Sequence, residues 1–113
     1  MPVSHIEFES LSRNVASLLT PLGFVQVRSE LDGPFASHIS EFANGANAYR
    51  IVWDGKESWL LGQYCDKYQE SDRSSWNDVA IYRAGRYVSP KELATLGSQL
   101  IEALRVHLTS YAA

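Results

Sequence analysis

Residues 64–78 carry a dense run of recognition side chains. The segment reads Tyr-Cys-Asp-Lys-Tyr-Gln-Glu-Ser-Asp-Arg-Ser-Ser-Trp-Asn-Asp, with Asp66, Glu70, Asp72 and Asp78 set against Lys67 and Arg73. Tyr64, Tyr68 and Trp76 are interleaved with these charges. Acids around exposed aromatics describe a protein contact surface, because Tyr and Trp are frequent hot-spot residues and acids steer a basic partner. Asp66, Tyr68, Glu70, Asp72, Trp76 and Asp78 are therefore the candidate partner-binding residues. The plainer alternative is a solvated loop whose Trp76 tucks into the core where the next strand begins.

Other reactive residue types lack the company that chemistry needs. Cys65 is the single cysteine, and its neighbours Tyr64 and Asp66 supply neither a base nor an electropositive setting. A small buried filler is the better reading of it. His5, His38 and His107 are scattered, whereas metal sites cluster their ligands. His38 and Glu41 are three apart, which on a strand sets them on opposite faces. Carboxylates could meet in two sets: Glu30, Asp32 and Glu41 across a hairpin, and Asp66 with Asp78 beside the polar loop. General acid–base work would require burial or neighbours that push their pKa values apart, and sequence shows none. The phosphate-loop spacing fails, since Gly55-Lys56 is followed by Glu57. The expectation is a non-enzyme with no metal and no cofactor.

The 113 residues make one small domain, and 45% hydrophobic content supports a core without disulfide or metal staples. Thirteen acids against ten bases give a net charge of −3, which argues against a nucleic-acid binder held by phosphate contacts. One cysteine allows no intramolecular disulfide. The opening Met-Pro-Val-Ser-His-Ile-Glu-Phe-Glu has acids where a signal peptide has its apolar core. The longest run without ionisable residues, 14–27, contains Pro21 and Gly23 and is too short to span a bilayer. These features predict a cytoplasmic protein that does not enter membranes.

The elements that would hold these residues follow from periodicity. Ser4 with Glu7 has capping-box spacing, and Phe8, Leu11, Val15, Leu18 and Leu19 recur at helical intervals, predicting a helix over 5–19. Thr20-Pro21-Leu22-Gly23 ends it, with Gly23 suited to a left-handed cap. Strands are predicted over 24–31, 35–43, 48–53, 58–65 and from 76 or 78 to 83, with Val25 and Val27 on one face of the first and Gln26 and Arg28 on the other. Asp32-Gly33-Pro34, Asn44-Gly45 and Asp54-Gly55 mark the turns. Ser89-Pro90-Lys91-Glu92 opens a last helix over 90–109, with Leu93, Leu96, Leu100, Ile101, Leu104 and Leu108 as its apolar stripe.

The fold class is α+β: a four- or five-stranded antiparallel meander with both helices on one face. The other face is left partly open or is covered by a partner, and an unprotected sheet edge can pair in a homodimer. The hairpin carrying Trp53 and Trp59 has two plausible registers. A two-residue turn pairs Trp53 with Lys56. A five-residue loop, 54–58, pairs Trp53 with Trp59 and gathers Tyr49, Ile51, Trp53, Trp59 and Leu61 on one face. The cleaner apolar face favours the longer loop.

The helix ending Leu22-Gly23-Phe24, the stretch Arg50-Ile51-Val52-Trp53-Asp54-Gly55, Trp59 on the next strand and the capped closing helix together resemble the small single-domain bacterial immunity proteins of polymorphic toxin systems. The resemblance is one of architecture, size and acidity. It implies a cytoplasmic protein that binds and neutralises a cognate toxin, here a basic toxin domain, with no catalytic residues. Two other readings remain. One is a small-ligand or chaperone-type binding domain whose open sheet face carries Tyr49, Trp53, Trp59 and Tyr64. The other is a small enzyme using carboxylates or Tyr.

Overall fold

The apolar stripes of the two terminal segments dictate two helices, and the alternating middle dictates a sheet. The structure is a computed structural model, and it describes residues 5–32, 37–68, 75–84 and 89–111. Helix α1 spans His5–Leu19 and buries Phe8, Leu11, Val15 and Leu19. The expected Ser4 cap lies outside the described residues. A 3₁₀ turn, Thr20–Leu22, follows α1, and Gly23 closes it at φ 91°, donating its N–H to the Thr20 carbonyl. Only glycine takes this left-handed conformation without strain. A Cβ there would also crowd Asn44, whose amide donates to the Leu22 carbonyl.

Five strands come next: β1 Val25–Asp32, β2 Ser37–Asn44, β3 Asn47–Asp54, β4 Trp59–Cys65 and β5 Asn77–Arg83. They form one antiparallel sheet in the order β1-β2-β3-β4-β5, the meander that short connections require. Helix α2, Pro90–Tyr111, starts where Ser89 Oγ accepts the Glu92 N–H at 3.0 Å. It buries Leu93, Leu100, Leu104 and Leu108, with Leu96 and Ile101 half-buried against the same core. Both helices lie on one face, α1 over β1 and β2 and α2 over β4 and β5. Between them Phe42, Tyr49, Ile51, Trp53, Leu60 and Tyr64 complete a single core. Leu18, expected in the buried stripe of α1, is half-buried at the margin of this core.

Two registers differ from expectation. Trp53 is opposite Leu60, and Asp54 is opposite Trp59, so the β3–β4 loop is the four residues 55–58. The Asp54 carboxylate accepts the N–H groups of Lys56 and Glu57 at 3.0 and 3.1 Å. Ser58 then closes the loop in the left-handed region, at φ 57°. The core face of β4 is therefore Leu60, Gly62 and Tyr64, while Trp59 and Leu61 face away from Trp53. Gly62 sits under α2, where a Cβ would collide with Leu100 Cδ1. The apolar-face criterion failed because helix approach demanded the smallest residue, which periodicity does not register. In β1 the pairing shifts between Gln26 and Arg28. Val27 is the extra residue, so Gln26 and Arg28 do not share a face. Gln26 donates to Ser40 on the helix side, and Arg28 reaches Glu41 on the other.

Candidate functional site

Among the described residues the face of the sheet away from the helices is covered only at one end, by Tyr68 and Trp76, and its side chains fall into rows set by the register. The central row crosses all five strands: Arg28, Glu41, Arg50, Gln63 and Asp78. It needs the β1 shift and a second shift between Gly62 and Gln63, which leaves Val79 turned into the core. Glu41, only 5% exposed, is the hub. Its Oε1 accepts from Arg28 Nη1 at 3.2 Å and lies 3.6 Å from Arg50 Nη1. Arg50 Nε donates to Gln63 Oε1 at 2.5 Å, and Gln63 Nε2 donates to Asp78 Oδ1 at 2.8 Å. Arg28 also binds Glu30 at 2.7 Å.

These contacts set the charge states. The hydrogen bond from Arg28 holds the Glu30 carboxyl below the usual carboxylate range. The Glu30 and Glu41 carboxylates in turn raise Arg28 above the ordinary guanidinium value. Burial lowers Arg50, opposed by Glu41. Glu30 and Glu41 do meet, as the sequence suggested, but through Arg28. Glu30 is held ionised by its cation, which suits an anchored charge and not a proton donor. The Asp32 side chain lies outside the described residues.

Beside this row runs an apolar one: Ile39, Val52, Leu61 and Ile81, one residue per strand. Ile39 alternates with His38 and Ser40, which touch Phe8 and Ser12 of α1, so it points the opposite way. At inter-strand spacing the row is about 14 Å long. Ile39, Val52 and Leu61 are half-buried and Ile81 is 44% exposed. Trp59 flanks the row, with the Arg83 guanidinium 4.9 Å from its ring centre.

On the other side of the charged row lies the acidic-aromatic segment. Tyr68 and Trp76 are half-buried over Ala43, Ala48 and Cys65, edge to face at 6.0 Å. The Arg50 guanidinium lies 4.3 Å above the Trp76 ring, and Tyr68 donates its N–H to the Ala46 carbonyl. Asp66 and Asp78 are exposed. Glu70 and Asp72 lie outside the described residues. Cys65 is a buried filler beneath this cap. The structure thus brings Tyr68, Trp76 and Asp78 to one end of the uncovered face. Sequence reasoning missed Arg28, Glu41, Arg50 and Gln63 as one array, because two strand irregularities are needed to align them.

The helix side holds a second feature. Tyr49 Oη is 2.7 Å from His107 Nδ1, and Tyr64 donates to Asn47 Oδ1 at 2.7 Å. Burial lowers the His107 pKa. A cavity of about 320 Å³ adjoins them, lined by Leu22, Phe24, Asn44, Asn47, Tyr49, Tyr64 and Leu108. Tyr49, Trp53 and Tyr64 therefore belong to the core side, so the open face does not carry the aromatic floor expected of a ligand-binding sheet. Among the described residues no three His, Cys, Asp or Glu side chains group to hold a metal, and no helix is long and apolar enough to cross a membrane. Compared with protein-family models, with curated proteins and with solved structures, the chain matches none.

Proposed function

We propose that this protein is a non-catalytic binding module, an immunity protein that captures and blocks a basic toxin domain in the cytoplasm. The carrying observation is the sheet face away from the helices, where a partly exposed apolar row lies beside a network of anchored charges. A large apolar strip rimmed by polar groups is the usual character of a protein contact surface. The two arginines of the central row are directed onto Glu41, Gln63 and Trp76. Asp66 and Asp78 are exposed at the same end of the face, and a basic partner complements them. The candidate contact region is this face together with its margin at residues 66–78.

The test is to co-express the protein with candidate toxin domains encoded beside its gene, score relief of toxicity, and measure binding on the purified pair. Val52→Asp and Leu61→Asp should each abolish relief while the variant stays folded by circular dichroism. Neutralising Asp66, Glu70 and Asp72 together should slow association and weaken its salt dependence, with thermal stability nearly unchanged. Full protection by Val52→Asp would remove the sheet face from the interface, and unaltered binding by the triple variant would remove the acidic margin.

A further inference from the structure

The two edges of the sheet differ. β5 ends one side with Asn77, Asp78 and Arg83 exposed along it. β1 ends the other, and among the described residues no strand lies beyond it. Exposed large apolar residues concentrate there: Leu22 at 50%, Val25 at 64%, Val27 at 42% and Leu31 at 56%. The only others among the described residues are Ile81 and Val106. A strand edge with unpaired backbone groups and apolar side chains is a template for another strand.

The β1 sequence is complementary to itself. In an antiparallel pair of identical strands, residues facing each other must share the same hydrogen-bonding direction, so the two-fold axis passes midway between the two copies of one residue. Centred on Arg28, the pair would oppose two guanidiniums. Centred on Glu30, it would oppose two carboxylates. Centred on Ser29, it sets Arg28 against Glu30 of the second copy on both sides of the axis, and the irregularity at Val27 limits the regular register to residues 28–30 with Leu31 exposed beside them. The small, exposed Ser29 then meets itself on the axis. Cross-strand pairs of opposite charge and of apolar side chains stabilise antiparallel strands, and like charges oppose them.

We propose that β1 is a homodimerisation edge, pairing with β1 of a second copy of this chain in the register centred on Ser29. The two sheets become one ten-stranded sheet. The uncovered faces stay free, so this inference stands apart from the toxin-binding one.

The experiment is disulfide trapping of the full chain with oxidised glutathione, read on non-reducing gels. Across the axis the Cα atoms of residue 29 would lie about 4.5–5.5 Å apart, within disulfide range. Ser29→Cys should therefore trap a dimer rapidly. Glu30→Cys and Ser75→Cys should not, and Cys65 is buried and silent. Adding Glu30→Arg to Ser29→Cys places like charges opposite Arg28 twice per dimer. It should slow trapping about ten-fold while circular dichroism stays unchanged. Trapping no faster at residue 29 than at 30 or 75, or a rate indifferent to Glu30→Arg, overturns the proposal. So does preferential trapping through Glu30→Cys, which would mean another register.

Discussion

Replacing Gly62 by Ala tests the packing that sets the β4 register. The added Cβ would sit inside the van der Waals envelope of Leu100 Cδ1, with Leu104 Cδ2 at an ordinary 3.5 Å. Leu100 must retreat by roughly 1 Å to reach normal carbon contact of about 3.5–4.0 Å. It is fully buried and has little room to do so. Overpacking of this kind costs about 1–3 kcal/mol. Gly62 has no positive φ, so alanine fits its backbone and recovers about 0.4–1 kcal/mol by restricting the unfolded chain. The net loss should be about 0–2.6 kcal/mol, centred near 1.3 kcal/mol. Leu100→Ala alone should cost about 2–5 kcal/mol through its cavity. In that background the collision is gone, and Gly62→Ala should become neutral or stabilising. Urea unfolding followed by tryptophan fluorescence, on all four proteins of the cycle, gives the midpoints and slopes. An equal penalty for Gly62→Ala in both backgrounds would refute the assignment of the collision to Leu100.

Ser89→Ala removes the acceptor for the Glu92 N–H and should cost about 1 kcal/mol, read as a lower unfolding midpoint. Glu41→Ala leaves Arg28 and the half-buried Arg50 without their shared anion and should destabilise by about 1–3 kcal/mol, more at low salt than at high. His107 is held neutral by burial beside Tyr49, so the unfolded chain takes up its proton first as pH falls. The His107 contribution should be flat above the ordinary imidazole value of about 6.5 and should fall below it, and His107→Gln should remove that part of the pH dependence between about 6.5 and the carboxylate range in chemical denaturation at several pH values.

Local chemistry made the element boundaries readable. Pro21 and Gly23 stop α1 where expected, and Ser89 with Pro90 starts α2 where expected, because caps act over a few residues. The strands follow from alternation bounded by turn residues. Three-dimensional consequences were harder to read. The shift at Val27 rotates Arg28 to the far face, and nothing in Val-Gln-Val-Arg announces it. Trp59 was expected beside Trp53 because both are large and apolar, yet the close approach of α2 over Gly62 outweighs that likeness. Tyr68, Trp76 and Asp78 were singled out as candidate partner-binding residues from residue type alone, and the structure sets them close to one another. Their neighbours Glu41, Arg50 and Gln63 come from other strands and become visible only once the registers are fixed.

The order of elements along the chain also bears on synthesis. Each strand pairs with its predecessor, so the sheet can grow in step with translation. Its core side cannot be sealed in that way. The β4 side of the core, around Gly62, finishes its burial under Leu100 and Leu104, which leave the ribosome some forty residues later. During that interval α1 shields only the β1–β2 half of the sheet. Until α2 emerges, the nascent sheet has an apolar flank open to water, and slow codons between β4 and α2 would lengthen its exposure.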